Sequence, residues 1–379
     1  MRTGRWLLGL IMAGLLLAMG AADAQAAKTV KIGVIMPLTG QLSLDGSHEA
    51  NGVKLAVEAI NAQGGIKVDK EMYKIELLVY DDQGVPKESV AAMEKLVTRD
   101  GVKMVIGAYT SSSTFAVMPI AQREKVILCS PNSAAEKLTQ VGNKWFFRGG
   151  VTVPGAVRTI TGYIEQLGIK SIAHLGVNDD WGRNTSNMNK AAEEKIGIKV
   201  LAQEYYEHGT SDFYSVLTKI KGLKPEAIFS IMETKAASIF VRQAKEICPE
   251  IKIVDAGGVD PFQLLKLAPD AVEKFAIVSR GPTLDHPKTA PIVKRYREKY
   301  NMDPMSYAFS GYDVMMIYRN AMESAGTVKD TEKIQEAMTK TNYEGIMGYY
   351  SYDKNNENTL DVWVGEYKGG KVNLWLLKK

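Results

Sequence analysis

The stretch "KIGVIMPLTGQLSLDGSHEANGVKLAVEAINAQGG", Lys31 to Gly65, changes its period half-way along. Lys31–Leu38 is a short apolar run of the kind that forms a strand buried on both faces. From Ser47 onward, Val53, Ala56, Val57 and Ile60 fall on one helical face, and Gly64-Gly65 closes that helix. A buried strand followed by a helix is the building unit of a parallel sheet, because parallel neighbours need a crossover.

The unit repeats along the chain. "YKIELLVYDD" (73–82) precedes a helix opened by Pro86, with Val90, Met93, Leu96 and Val97 inward. "GVKMVIGA" (101–108) leads through a run of hydroxyl residues into "FAVMPIAQRE", and "KVILCSP" (125–131) follows. After "KWFFRGG" (144–150) the cycle restarts: "KSIAHLGVN", "IKVLAQEYY", "EAIFSIM" and "IKIVDAGG" each feed a helix-period segment. "FAIVSRGP" and two or three helices at about 290–340 come next. The chain ends in alternating residues around Gly369-Gly370, a hairpin signal. Two successive strand–helix runs predict an α/β fold of two doubly wound parallel-sheet lobes.

The first 26 residues read as a secretory signal peptide: Arg2 and Arg5, an apolar run from Trp6 to Met19, then small residues. That run is too short to span a bilayer, which takes roughly 20 residues. Cleavage after Ala24 or Ala26 fits equally, no cysteine stands near for a lipid anchor, and a periplasmic chain without direct membrane insertion is expected. Past residue 26, 45 basic side chains face 42 acidic ones with signs mixed, which gives no nucleic-acid surface. Cys129 and Cys248 read as buried free thiols, with a disulfide as the alternative.

Enzyme motifs are missing. The chain has no G-x-S-x-G, no H-E-x-x-H, no Walker loop and no G-x-G-x-x-G after the first strand. His48, His174, His208 and His286 are scattered without metal-ligand spacing. No catalysis, metal or cofactor is expected. What remains is "YTSSST", Tyr109–Thr114, at the carboxyl end of a strand, where open α/β sheets bind ligands. A helix starting near Ser112 or Ser113 would aim free N–H groups and its positive end at an acid, with the hydroxyls as added donors. In the plainer alternative one serine caps the helix and the rest are solvated.

Several ordered motifs bear on this choice: the opening stretch, "VIGAYTSSST" followed by "VILCSPNSA", "NDDWGRN", and "VRQAKE" followed by "IVDAGG". Together they resemble the periplasmic branched-chain amino-acid binding proteins, type I substrate-binding proteins of ATP-driven importers. The resemblance runs from about Lys28 to the C-terminus. It implies two lobes joined by three crossovers: 28–149 plus 281–349, and 150–280 plus 350–379, with the ligand cleft between them. It places the family's carboxylate-binding serine on Ser111, beside Ser112, and its second carboxylate loop on Ser130 to Ala134, through Asn132 and Ser133. Its covering aromatic ring falls on Trp181. Where the family has a threonine this chain has Ala134. The family's first-loop tyrosine falls on Asp45, its second-lobe tyrosine on Glu233, and its amine-pairing glutamate on Gly257.

Either Glu233, Asp45 or Asp260 replaces that glutamate, or the ligand carries no amine. Tyr109 is a further candidate lining residue, and Arg148 is either a hinge residue or a second acid anchor. The expected partners are a small amino acid or carboxylic acid and a membrane permease. Two other readings stay open: a sensor that presents its closed lobes to a receptor, and an exported hydrolase using Ser111 with His174 or His48 as base.

Overall fold

The structure is a computed structural model that describes residues 28–358 and 360–377; the expected signal peptide lies outside them. Strands are β1 Lys28–Met36, β2 Ile66–Val68, β3 Glu71–Asp81, β4 Met104–Ile106, β5 Ile127–Ser130, β6 Phe146–Arg148, β7 Ser171–Val177, β8 Lys199–Tyr206, β9 Ala227–Ile231, β10 Lys252–Asp255, β11 Phe275–Ser279, β12 Tyr343–Glu344, β13 Tyr349–Tyr350, β14 Trp363–Lys368 and β15 Lys371–Leu376. Helices are α1 Ser43–Ala62, α2 Pro86–Glu94, α3 Ser111–Glu124, α4 Val153–Gln166, α5 Asp180–Lys195, α6 Tyr214–Leu223, α7 Thr234–Ile247, α8 Pro261–Leu267, α9 Ala290–Tyr300, α10 Ser306–Ala325 and α11 Thr331–Thr339.

Two sheets organise the molecule. The first runs β2-β3-β1-β4-β5-β6 and is parallel except at the β2 edge. The second runs β15-β14-β11-β10-β9-β7-β8, parallel from β8 to β11 and closed by the antiparallel β14–β15 hairpin. Central strands are apolar on both faces because helices cover both: Ile32, Val34, Ile35 and Met36 of β1 are all fully buried. The hairpin turns at Gly369-Gly370, where both residues have positive φ.

The helices after β11 return to the first sheet. There α10 packs on α1 at backbone distance: a Cβ at Gly52 would come within 1.8 Å of the Ala308 carbonyl oxygen. Only glycine permits that approach. The last passage between sheets was expected at Gly348-Tyr349, yet residues beyond it still lie along β6. Asn358 Nδ2 donates to the Arg148 and Gly150 carbonyls, each at 2.7 Å. Cys129 and Cys248 are buried and unbonded to each other, and burial pushes the Cys129 thiol up to about 12. No described helix is long and apolar enough to cross a membrane.

Candidate functional site

The hydroxyl run divides its labour. Thr110 has extended backbone and caps α3, its hydroxyl accepting from the Ser113 N–H at 3.1 Å. The helix therefore begins at Ser111, earlier than expected, and the serines form its first turn rather than a loop. Ser111 is buried, and its Oγ accepts from the Ala135 N–H at 3.2 Å. Ser113 accepts from Ser89 at 2.8 Å, and Thr114 donates to the Thr110 carbonyl at 2.9 Å. The second loop is held by its own hydroxyls: the Ser133 N–H donates to Ser130 Oγ at 3.0 Å. Arg148 is fully buried beneath that loop, bound to the carbonyls of Ser133 and Ala135 and to Glu357 Oε1 at 2.7 Å. It braces the loop rather than anchoring a ligand.

The facing wall comes from the second sheet. Asp179 caps α5, accepting from the Gly182 N–H at 2.8 Å. Trp181 follows, packed so closely on Gly258 that a Cβ there would lie 2.4 Å from the ring. Glu233, at the start of α7, accepts from the Tyr206 hydroxyl at 3.2 Å. His208 stands between the two acids, Nε2 at 3.2 Å from Asp179 and Nδ1 at 3.4 Å from Glu233. Burial opposes charge on His208, but the Asp179 hydrogen bond and the Glu233 charge outweigh it and lift its pKa to about 8. Burial raises the Glu233 pKa, partly offset by His208. These three side chains have metal-ligating chemistry, but both imidazole nitrogens already face carboxylates.

Between the walls is a narrow cavity. Tyr109, Ser111, Asn132, Ser133, Ala134, Trp181 and Glu233 all line it. The other candidates lie elsewhere. Asp45 sits behind Tyr109, whose hydroxyl donates to it at 3.2 Å; burial and then the Glu233 charge push its pKa up to about 8. Ser112 stands at the mouth, accepting from the Asp180 N–H at 3.4 Å. Asp260 caps α8 and accepts from the Ser306 N–H at 2.7 Å, which leaves it a structural part. Gly257 lines a neighbouring chamber.

Asp179, Gly258, Arg280 and Tyr307 line the cavity without having been singled out from sequence. Arg280 follows β11 and reaches both sheets, donating to the Gly257 carbonyl at 2.5 Å and the Asn132 carbonyl at 3.2 Å. A usable signal existed: Asp179, Glu233, Gly258 and Arg280 each stand one to three residues past a parallel strand's carboxyl end. The lobes touch in this structure. Besides Ser112–Asp180, the Glu136 N–H donates to Asn184 at 3.1 Å and Lys235 to Gln41 at 3.2 Å. The hydrolase reading lacks its base: His174 is engaged by Ser186 and Glu193, and His48 by Tyr296.

The family model described as periplasmic binding protein matches residues 29–371. The chain belongs to this family. Periplasmic binding proteins are non-enzymatic components of transport, so this chain captures a solute for an importer and is not an enzyme. A leucine-, isoleucine-, valine-, threonine- and alanine-binding protein of Pseudomonas aeruginosa is 28% identical over 373 residues, 97% of each chain. A leucine-binding protein of Thermotoga maritima superposes with a TM-score of 0.82 at 27% identity, covering 92% of this chain and 98% of that one. A branched-chain amino-acid transporter's substrate-binding protein from Streptococcus pneumoniae, in complex with isoleucine, gives 0.83 at 27%, covering 93% and 100%. The two-lobe α/β architecture expected from the sequence is thus the fold of this periplasmic binding protein.

Proposed function

We propose that this periplasmic binding protein captures a small α-amino acid by closure of its lobes and presents the closed form to a membrane permease. The observation that carries the reading is the dipolar cavity. One wall holds the α3 N-terminus at Thr110–Ser111, which the Arg280 guanidinium reaches from the second sheet at Asn132; the other holds Asp179 and Glu233. His208 between them, its pKa lifted to about 8, offsets part of the negative charge that the two carboxyl groups bring to this wall. A zwitterion matches both walls: its carboxylate at the helix end, its ammonium at the acids. The lobes are taken as 28–149 plus 281–349 and 150–280 plus 350–379, with the stretch up to Asn358 packed along β6 of the first lobe before the chain enters β14. Contacts such as Ser112–Asp180 exist only when they meet, so ligand that bridges them stabilises closure. The signal peptide and periplasmic location belong to the same reading.

A second reading, an amine-free carboxylate, is favoured by one fact. Both Glu233 oxygens already face protein groups, Tyr206 and His208. A thermal-shift screen of refolded, ligand-stripped protein separates the two. It pairs amino acids with their deaminated counterparts, each at 100 times its dissociation constant where about 2.7 kcal/mol of stabilisation is expected. Shifts with the amino acids alone support the zwitterion. Shifts with the amine-free acids alone overturn it.

A further inference from the structure

Past the ligand cavity the structure holds a second, narrow chamber. Ala134, Trp181 and Arg280 wall both spaces. The chamber's sides are apolar, from Val151, Val153, Ala156, Val278 and Val362. Apart from Arg280 at the shared rim, no charged side chain among the described residues lines it.

One helix face runs the length of the chamber. Trp181, Thr185 and Asn189 stand at intervals of four on α5, so they share a face and span roughly 12 Å. Asn189 is fully buried, and its Nδ2 donates to the Thr185 carbonyl at 2.9 Å, which fixes the amide orientation. Its Oδ1 then has no partner among the described residues, nor has the Thr185 hydroxyl. A buried acceptor without a donor is costly, and native interiors rarely leave one so.

We infer that this chamber receives the ligand's distal part: an uncharged, extended apolar or aromatic side chain ending in a hydrogen-bond donor, which Asn189 Oδ1 accepts. The inference rests on the amino-acid reading for the ligand's near end and goes beyond it by naming the side-chain class. A phenol or a hydroxyl on a flat or linear stem has the required chemistry. The apolar walls hold the stem, and away from Arg280 at the shared rim no charged side chain of the described lining stands to pair with a charged end.

Titration calorimetry with valine, phenylalanine, tyrosine and 3-(4-hydroxyphenyl)propionate tests it on ligand-stripped wild type, Ala156→Leu and Asn189→Leu. In wild type, tyrosine is expected to bind at least tenfold tighter than valine and tighter than phenylalanine. Ala156→Leu narrows the chamber and should lower tyrosine affinity at least tenfold while leaving valine within about twofold. Asn189→Leu should bring tyrosine down to phenylalanine. Valine binding as tightly as tyrosine in wild type overturns the chamber and leaves the amino-acid reading intact. So does an equal loss of all ligands in Ala156→Leu, or a crystallographic water holding Asn189 Oδ1 with tyrosine bound outside. Should Ala156→Leu not fold, the wild-type order and Asn189→Leu decide. Binding of the propionate with no binding of tyrosine would instead overturn the amine and keep the chamber.

Discussion

The Ser112 hydroxyl accepts a hydrogen bond from the Asp180 N–H at 3.4 Å, so the first turns of α3 and α5 meet across the cleft mouth. One residue earlier in α3, Ser111 is buried and faces the cavity. Neighbouring serines therefore have separable tasks. Ser111→Ala should weaken ligand binding by about 1–3 kcal/mol, the worth of a hydrogen bond to a charged group. Ser112→Ala removes a long, partly exposed bond and should cost within about 0.5 kcal/mol. Calorimetric titration of both variants with the same amino acid checks the order; equal losses would remove Ser111 from the acid-anchoring role.

Glu233 is the cavity carboxylate whose removal should discriminate between ligands. Glu233→Gln keeps the shape and removes the charge proposed to face the ligand's ammonium. Amino acids should lose tenfold or more in affinity, and their amine-free counterparts should hold or gain. Parallel titrations of each pair measure it. An equal loss for both members of a pair would assign Glu233 to holding His208 alone.

His208 gives the ligand-free protein a pH dependence of stated sign. Its pKa is raised by Asp179 and Glu233 from the ordinary 6.5 to about 8. Folding therefore favours the protonated ring, and this contribution is fully present below about pH 6.5 and lost as pH rises through 8. The ring is one-third exposed, so the effect is on the order of 1 kcal/mol after solvent screening. Urea melts of wild type and His208→Gln from pH 6 to 9 should show the wild-type advantage shrinking across that window. A constant difference would mean that the acids do not hold the proton.

How much of this was legible from residues alone follows from the kind of signal each residue carries. Alternating apolar runs and helix faces are local, so β1, α1 and the hairpin at Gly369-Gly370 could be read directly. Ser111 and Trp181 were found through ordered motifs and do face the cavity. Asp179 and Arg280 were missed because a capping acid and an arginine after a strand look like ordinary loop residues. Only the convergence of strand ends from both sheets gives them a shared space. Asp260 was misleading for the opposite reason: an acid in a loop beside the cleft turned out to be spent on two backbone N–H groups.

Arg148 shows how the Ser130–Ala135 loop keeps its shape. The guanidinium is fully buried and holds the Ser133 and Ala135 carbonyls together with Glu357. Burial lowers its pKa and the Glu357 charge opposes that, so the charged form depends on its partner. Removing the arginine leaves a mostly buried carboxylate unpaired and the Ser133 carbonyl without its donor, while the Ala135 carbonyl keeps the Leu138 N–H, a loss of about 3–5 kcal/mol. Arg148→Met should therefore lower the urea midpoint strongly. Arg148→Met with Glu357→Gln should recover part of it, because no unpaired charge remains. The loop also carries cavity residues Asn132, Ser133 and Ala134, so ligand affinity in the double variant should fall even where stability returns. Recovery of stability with unchanged affinity would show that the loop keeps its conformation without the arginine.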